Sequence, residues 1–244
     1  MDNQIKLDTL LRSQVGNVDE FDENEIYGYA RGVAKFENVI SVVSDLKKGT
    51  SRIFTGGFGH VLGLGDHYED ATIWERRIMK MMPEKEWEKK IVTELRFFHY
   101  LRQMGRKRRN YYLMSLLRFY NDRGSLVNVM HRIYYIYDNK SESARYAVCL
   151  YGPMPEYYNG KDQVVDSITG IGEELTPFTD AGVLTSREKQ VLALIKSGMK
   201  TKEIACRLNI SKHTVSRHRQ TIIAKLQVKN SIEACHVAGL MGLI

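Results

Sequence analysis

The sequence predicts an α+β fold in two parts: an antiparallel sheet with helices over roughly residues 35–152, then an all-α unit of four helices over residues 183–244. Three observations predict it. Residues 184–243 carry helix caps and apolar positions at steps of three and four. Residues 111–151 hold three apolar runs of strand length, separated by short polar turns. Ahead of them Trp87, Ile91, Leu95, Phe98 and Leu101 make one stripe at helical spacing. At 244 residues the chain allows one large or two medium domains, and 43% hydrophobic content is ordinary for a folded chain.

Residues 1–34 hold scattered apolar positions (Ile5, Leu7, Leu10, Leu11, Val15) and then the acidic FDENE run. A flanking helix is expected there, packed on its own domain or on a second subunit. Residues 38–55 read as two short strands around a polar Lys47-Lys48-Gly49 turn. Next comes GGFGHVLGLG, whose glycine spacing is G-x-G-x-x-x-G rather than G-x-G-x-x-G. No βαβ unit surrounds it, so a tight turn into a short helix is expected instead of a nucleotide site.

Residues 72–104 are expected to be helical, with Pro83 marking a helix start. Met79, Met81 and Met82 read as flexible core filler. Gly105 to Arg109 is a basic loop. Strands follow at Tyr111 to Tyr120, Leu126 to Tyr137 and Arg145 to Tyr151, with turn signals at Asp122-Arg123-Gly124 and Asp138-Asn139-Lys140. Short turns between consecutive strands imply an antiparallel meander. His131 lies on the more apolar face of its strand and is expected to be structural rather than a ligand to metal or haem. Residues 153–182 hold three of the four prolines and four glycines, and read as a linker with a short ordered piece near Val164 to Ile168.

In the last part, Thr185-Ser186-Arg187-Glu188 fits a capping box. Val191, Leu192 and Ile195 line the helix it opens, and Gly198 suits its stop. Thr201 is expected to cap a second helix, with Ile204, Ala205 and Leu208 inward. Asn209 tolerates the left-handed turn, and Ser211 can cap a third helix. That helix has two faces. Val215, Ile222 and Leu226 pack inward. His213, Ser216, Arg217 and Gln220 face out, where side chains of this kind can reach base edges in a major groove. Thr201, Lys202, Lys212, Thr214, His218 and Arg219 flank them and suit phosphate contacts.

This segment resembles the LuxR/NarL-type helix-turn-helix of bacterial transcription regulators. The shared residues are Leu184-Thr185, Arg187-Glu188, Lys202-Glu203-Ile204-Ala205, Leu208, Ser211, Thr214-Val215, His218, Lys225-Leu226 and Glu233-Ala234. The resemblance implies that Ser216, Arg217 and Gln220 sit where that family reads bases, although Ser216 stands where the family often has Lys. It also implies that the final helix pairs two subunits, through Ile232, Cys235, Leu240 and Met241. Residues 35–152 are similar to a PAS domain in element order and in VVSDL, GGFGHVLGL and YYLMSLLRFYNDRG. That resemblance implies a sensor or dimerisation domain. It brings no familiar cofactor signature: there is no Asn-Cys-Arg-Phe flavin motif and no well-placed haem histidine.

Charge agrees with a nucleic-acid partner. From Ala181 onward there are eleven Lys and Arg against three Asp and Glu, while the preceding 180 residues hold twenty-five against twenty-six. The whole positive excess therefore lies in the last 64 residues. Cys149, Cys206 and Cys235 lack metal-ligand spacing and suit reduced thiols in a cytoplasm. No apolar run reaches the roughly 18 residues that span a membrane, and the first residues lack a signal-peptide core. There is no paired base and nucleophile, no P-loop and no metal cluster, so no enzyme is expected, no cofactor and no metal. The partners expected are double-stranded DNA, a second copy of the chain, and an unidentified small molecule or protein at the sheet domain. The alternative is a protein-interaction module with only non-specific nucleic-acid binding.

Overall fold

Helix α1 (Glu23–Phe36) puts Ile26, Tyr27, Ala30 and Ala34 on one face at helical spacing, and that face is buried. It covers one side of an antiparallel sheet, where Val43, Phe54 and Tyr146 receive it. The fold is that of a computed structural model describing residues 23–138, 143–176, 183–226, 228 and 230–244, with the side chain of Leu240 excepted. Most of the flanking segment 1–34 and part of the Asp138-Asn139-Lys140 turn lie outside the described residues.

The sheet has eight strands in the order β3-β2-β1-β6-β5-β4-β7-β8. They are β1 (Ile40–Asp45), β2 (Thr50–Thr55), β3 (His67–Asp70), β4 (Tyr111–Tyr120), β5 (Leu126–Tyr137), β6 (Ala144–Pro153), β7 (Gln163–Asp166) and β8 (Gly172–Glu174). Helices α2 (Gly57–Val61), α3 (Arg76–Lys80) and α4 (Glu84–Gln103) lie between β2 and β4, with a 3₁₀ turn at Gly105–Asn110. The expected strands and the meander are present, and Pro83 caps α4. Two differences stand out. His67–Asp70 pairs with β2, although Tyr68 is its one apolar side chain. Residues 153–182 were expected to be a linker with a short ordered piece near Val164 to Ile168, yet Gln163–Asp166 pairs with β4 as β7, and Gly172–Glu174 pairs with β7 as β8. The free edge of β4 needs a partner for its N–H and C=O groups, and Val164 and Val165 offer a short apolar strand to supply one.

All six residues of β1 are buried, because the strand is covered on both faces. Val43 points to α1, while Ile40 and Val42 join the main core. That core stacks Ile91, Leu95, Phe98 and Leu101 of α4 on Leu113, Leu117, Val129 and Ile133. Each such side chain, fully buried, contributes about 1.5–3 kcal/mol. At the turn after β1, Asp45 accepts from the amides of Lys47 and Lys48 at 2.9 and 2.7 Å and pairs with buried Arg145 at 2.5 Å.

The second unit holds α5 (Ser186–Lys196), α6 (Thr201–Leu208), α7 (Lys212–Leu226) and α8 (Ser231–Leu240). Val191, Leu192, Ile204, Val215, Ile222, Leu226, Val237 and Met241 fill its interior. Two arginines of α4 reach across to it. Arg96 donates to the Met241 carbonyl at 3.2 Å, and Arg102 donates to the Lys225 carbonyl at 3.1 Å. A cavity of about 220 Å³ between the units is lined by His99, Arg102, Gln103, Val183 and Lys225.

Candidate nucleic-acid interface

The interface is built from its caps outward. Glu188 accepts from the Thr185 amide at 2.7 Å, and the Thr185 hydroxyl accepts from the Glu188 amide at 3.2 Å, which makes the expected capping box. The same carboxylate takes Lys225 Nζ at 2.7 Å, so the start of α5 is tied to the last turn of α7. Burial works against the Glu188 carboxylate, but the Lys225 and Thr185 hydrogen bonds outweigh it and hold its pKa below the usual carboxylate range.

Arg187 donates to the Leu208 carbonyl at 2.8 Å, bracing α6 against α5. Asn209 then takes φ 51°, the left-handed turn expected of it. The Ile210 amide closes back onto Ala205 at 3.0 Å. Ser211 Oγ accepts from the Thr214 amide at 3.0 Å, the expected cap of α7. Thr201, expected as a cap, is instead the first residue of α6, and Lys200 holds the N-cap position. The reason is visible: the Lys200 amide is taken by Glu203 at 2.7 Å, and the Thr201 hydroxyl accepts from Arg219 at 3.0 Å.

Val215, Ile222 and Leu226 anchor the inner face of α7. His213, Ser216, Arg217 and Gln220 are all exposed on its outer face, as their spacing implies. Lys202 and Lys212 are exposed beside them, and Thr214 and His218 are half-buried. Arg219 stands apart from its expected role at a phosphate. Its Nε donates to Ser231 Oγ at 3.1 Å and its Nη1 to Thr201, so it braces α7 against α6 and α8.

The proposed pairing residues on α8 separate. Ile232 is 81% exposed, whereas Met241 is fully buried. Cys235 is half-buried and its Sγ lies 3.6 Å from the Leu192 carbonyl. The side chain of Leu240 lies outside those described. Met241, just past the end of α8, therefore packs inside its own unit with Ala234, Val237 and Ala238, because α8 must close the helix-turn-helix core.

A second group of functional candidates lies inside the sheet domain, where spacing gave no hint. Lys90 and Glu94 of α4 are buried with Nζ and Oε1 2.7 Å apart, and Glu75 Oε2 lies 3.9 Å from the same ammonium. Burial works against the Lys90 charge, but Glu94 and Glu75 raise its pKa above the lysine range. Burial raises the Glu75 pKa, with Lys90 opposing. His131 Nε2 is 3.6 Å from Glu94 Oε1, and its Nδ1 is 3.2 Å from Ser115 Oγ. Burial, helped by Lys90 and Lys89, drives its pKa far down and keeps the ring neutral. A cavity of about 20 Å³ opens onto Glu75, Lys90, Glu94 and Cys149.

Comparison with known proteins places the second unit. Residues 182–238 match the model of the family described as bacterial regulatory proteins, luxR family. The transcriptional regulatory protein DesR of Bacillus subtilis is 49% identical over 57 residues, 23% of this chain and 29% of DesR. The transcriptional regulatory protein UhpA of Salmonella typhimurium is 45% identical over 53 residues, 22% of this chain and 27% of UhpA. The chain spans under half the length of the curated relatives it matches. Among solved structures, a phage VqmA-DPO complex covers 92% of this chain and 94% of its own at 15% identity, with a TM-score of 0.29. A Vibrio cholerae VqmA dimer covers 54% and 55% at 17% identity, with a TM-score of 0.22. Scores this low do not establish a common fold.

Proposed function

We propose that this chain is a bacterial, cytoplasmic, DNA-binding transcriptional regulator that lays α7 in the major groove. The observation that carries the reading is the outer face of that helix. His213, Ser216, Arg217 and Gln220 are exposed together, while the opposite face is pinned by Val215, Ile222 and Leu226. A rigid helix with a free polar face and flanking Lys202 and Lys212 separates base reading from phosphate positioning. The match of residues 182–238 to the luxR family and the positive excess confined to this unit support it.

The sheet domain is proposed to be a PAS-like module that modulates DNA binding in response to a small molecule or a protein. Strands β2-β1-β6-β5-β4 with α4 across one face support this, since the order of elements is that of the resemblance drawn from sequence. A homodimer on DNA is part of the proposal, with Ile232 its exposed apolar contact. Among the described residues no helix is long and apolar enough to cross a membrane.

The test is selection of bound sites from a random DNA pool at physiological salt, since non-specific binding falls steeply with salt. An enriched two-fold symmetric site is expected. Weak binding without enrichment, with and without cell-derived small molecules, rejects sequence-specific regulation and favours the interaction module.

A further inference from the structure

The polar centre beneath α4 lies in the sheet domain rather than on α7, and it is an expensive thing to bury. Glu94 from α4, His131 from β5 and Cys149 from β6 each offer one donor atom, and the three atoms lie within 4.8 Å of one another. All three residues are buried. His131 Nε2 has no hydrogen-bond partner among the described residues, and it is aimed at Glu94. Its other nitrogen is engaged by Ser115, the kind of support that fixes which nitrogen faces a metal.

We propose that Glu94, His131 and Cys149 form a binding site for one divalent cation of the zinc class, held between α4 and the sheet. A mixed oxygen, nitrogen and sulfur donor set suits zinc or cobalt rather than magnesium or calcium. Donor atoms around tetrahedral zinc lie roughly 3.3–3.8 Å apart, so the three need close by only about an ångström. The cavity beside them, about 20 Å³, holds an ion or one water and excludes an organic molecule of any size.

Charge closes as well. Binding transfers the Cys149 proton to solvent and leaves a thiolate on the metal. Glu75, Glu94 and that thiolate then set three negative charges against Lys90 and the divalent ion. Lys90 keeps a carboxylate of its own, because Glu75 Oε2 has no hydrogen-bond partner among the described residues and lies 3.9 Å from its Nζ.

The experiment uses the full chain, stripped with a chelator and titrated with cobalt, after circular dichroism has confirmed that it is folded. A Cys206→Ser/Cys235→Ser variant leaves Cys149 as the one thiol. It is expected to take up stoichiometric cobalt with a thiolate-to-cobalt charge-transfer band, and Cys149→Ser is expected to lose that band. Ser115→Ala keeps every donor and is expected to weaken cobalt binding about 10–100-fold. It decides the matter should Cys149→Ser fail to fold. Three results overturn the proposal: no band in the folded two-serine variant, a band that survives Cys149→Ser, or a native mass spectrum showing an organic molecule and no metal on chain purified from zinc-supplemented cells. None of these readouts depends on DNA binding.

Discussion

Arg217 illustrates what a residue's position on α7 implies. Its side chain is exposed on the outer face, with Gln220 three residues on. Arg217→Ala is expected to cost about 1–3 kcal/mol at the selected site and to relax specificity there, measured by titrating selected and scrambled duplexes. An equal loss on both duplexes makes Arg217 a phosphate contact instead. Arg219 behaves differently. Because it bridges Thr201 and Ser231, Arg219→Ala is expected to lower the melting temperature of the second unit, an effect that Lys212→Ala should lack. The sequence set Arg217 on the base-reading face and Arg219 beside it at a phosphate, with nothing to mark either as an internal brace. Which of them is spent on internal bracing depends on where α6 and α8 end up.

At the scale of the element, the caps were legible because they are local chemistry. Thr185 with Glu188, Asn209 and Ser211 each act on amides within three residues or on their own backbone angle. Ser211→Ala is expected to destabilise α7 by about 1 kcal/mol in chemical denaturation, with Ser211→Asp restoring most of it. Glu188 adds a pH dependence. Its folded pKa lies below the ordinary 4.5, so its contribution is complete above that value and is lost as pH falls through the lower folded value. Glu188→Gln is expected to remove that part of the acid transition, followed by thermal melts below pH 5. What escaped reading were the strands without a pattern. HYED in β3 and GEE in β8 carry no apolar alternation, and they become strands because a neighbouring edge offers hydrogen bonds.

Across the whole molecule, α4 is the shared element. One of its faces fills the sheet core, and from the other Arg96 and Arg102 donate to carbonyls at the ends of α8 and α7. Cations suit those ends, where unpaired carbonyls gather. The double variant Arg96→Ala/Arg102→Ala is expected to split one calorimetric unfolding transition into two, the second unit melting first. A single unchanged transition contradicts that coupling. His99 lies at the same junction, near Arg102 and Lys225, and burial lowers its pKa to about 4. The unfolded histidine takes its proton near 6.5, so stability is complete above that pH and is lost as pH falls towards about 4. His99→Gln is expected to flatten this window while leaving the Glu188 window below it intact.

Local rules were enough for the helix-turn-helix, the two faces of α7, the meander and the antiparallel α+β class. Helix caps, a period of 3.6 and a period of 2 act over a few residues, and one face buried is enough to express them. Long-range packing determined the rest. It recruited Gln163–Asp166 and Gly172–Glu174 into the sheet, turned Met241 inward and committed Arg219 to its neighbours. It also gathered Glu94, His131 and Cys149, which stand far apart in the chain on three different elements. No spacing rule can find such a group, because the distance between its members is set by how α4 crosses the sheet and not by the number of residues between them.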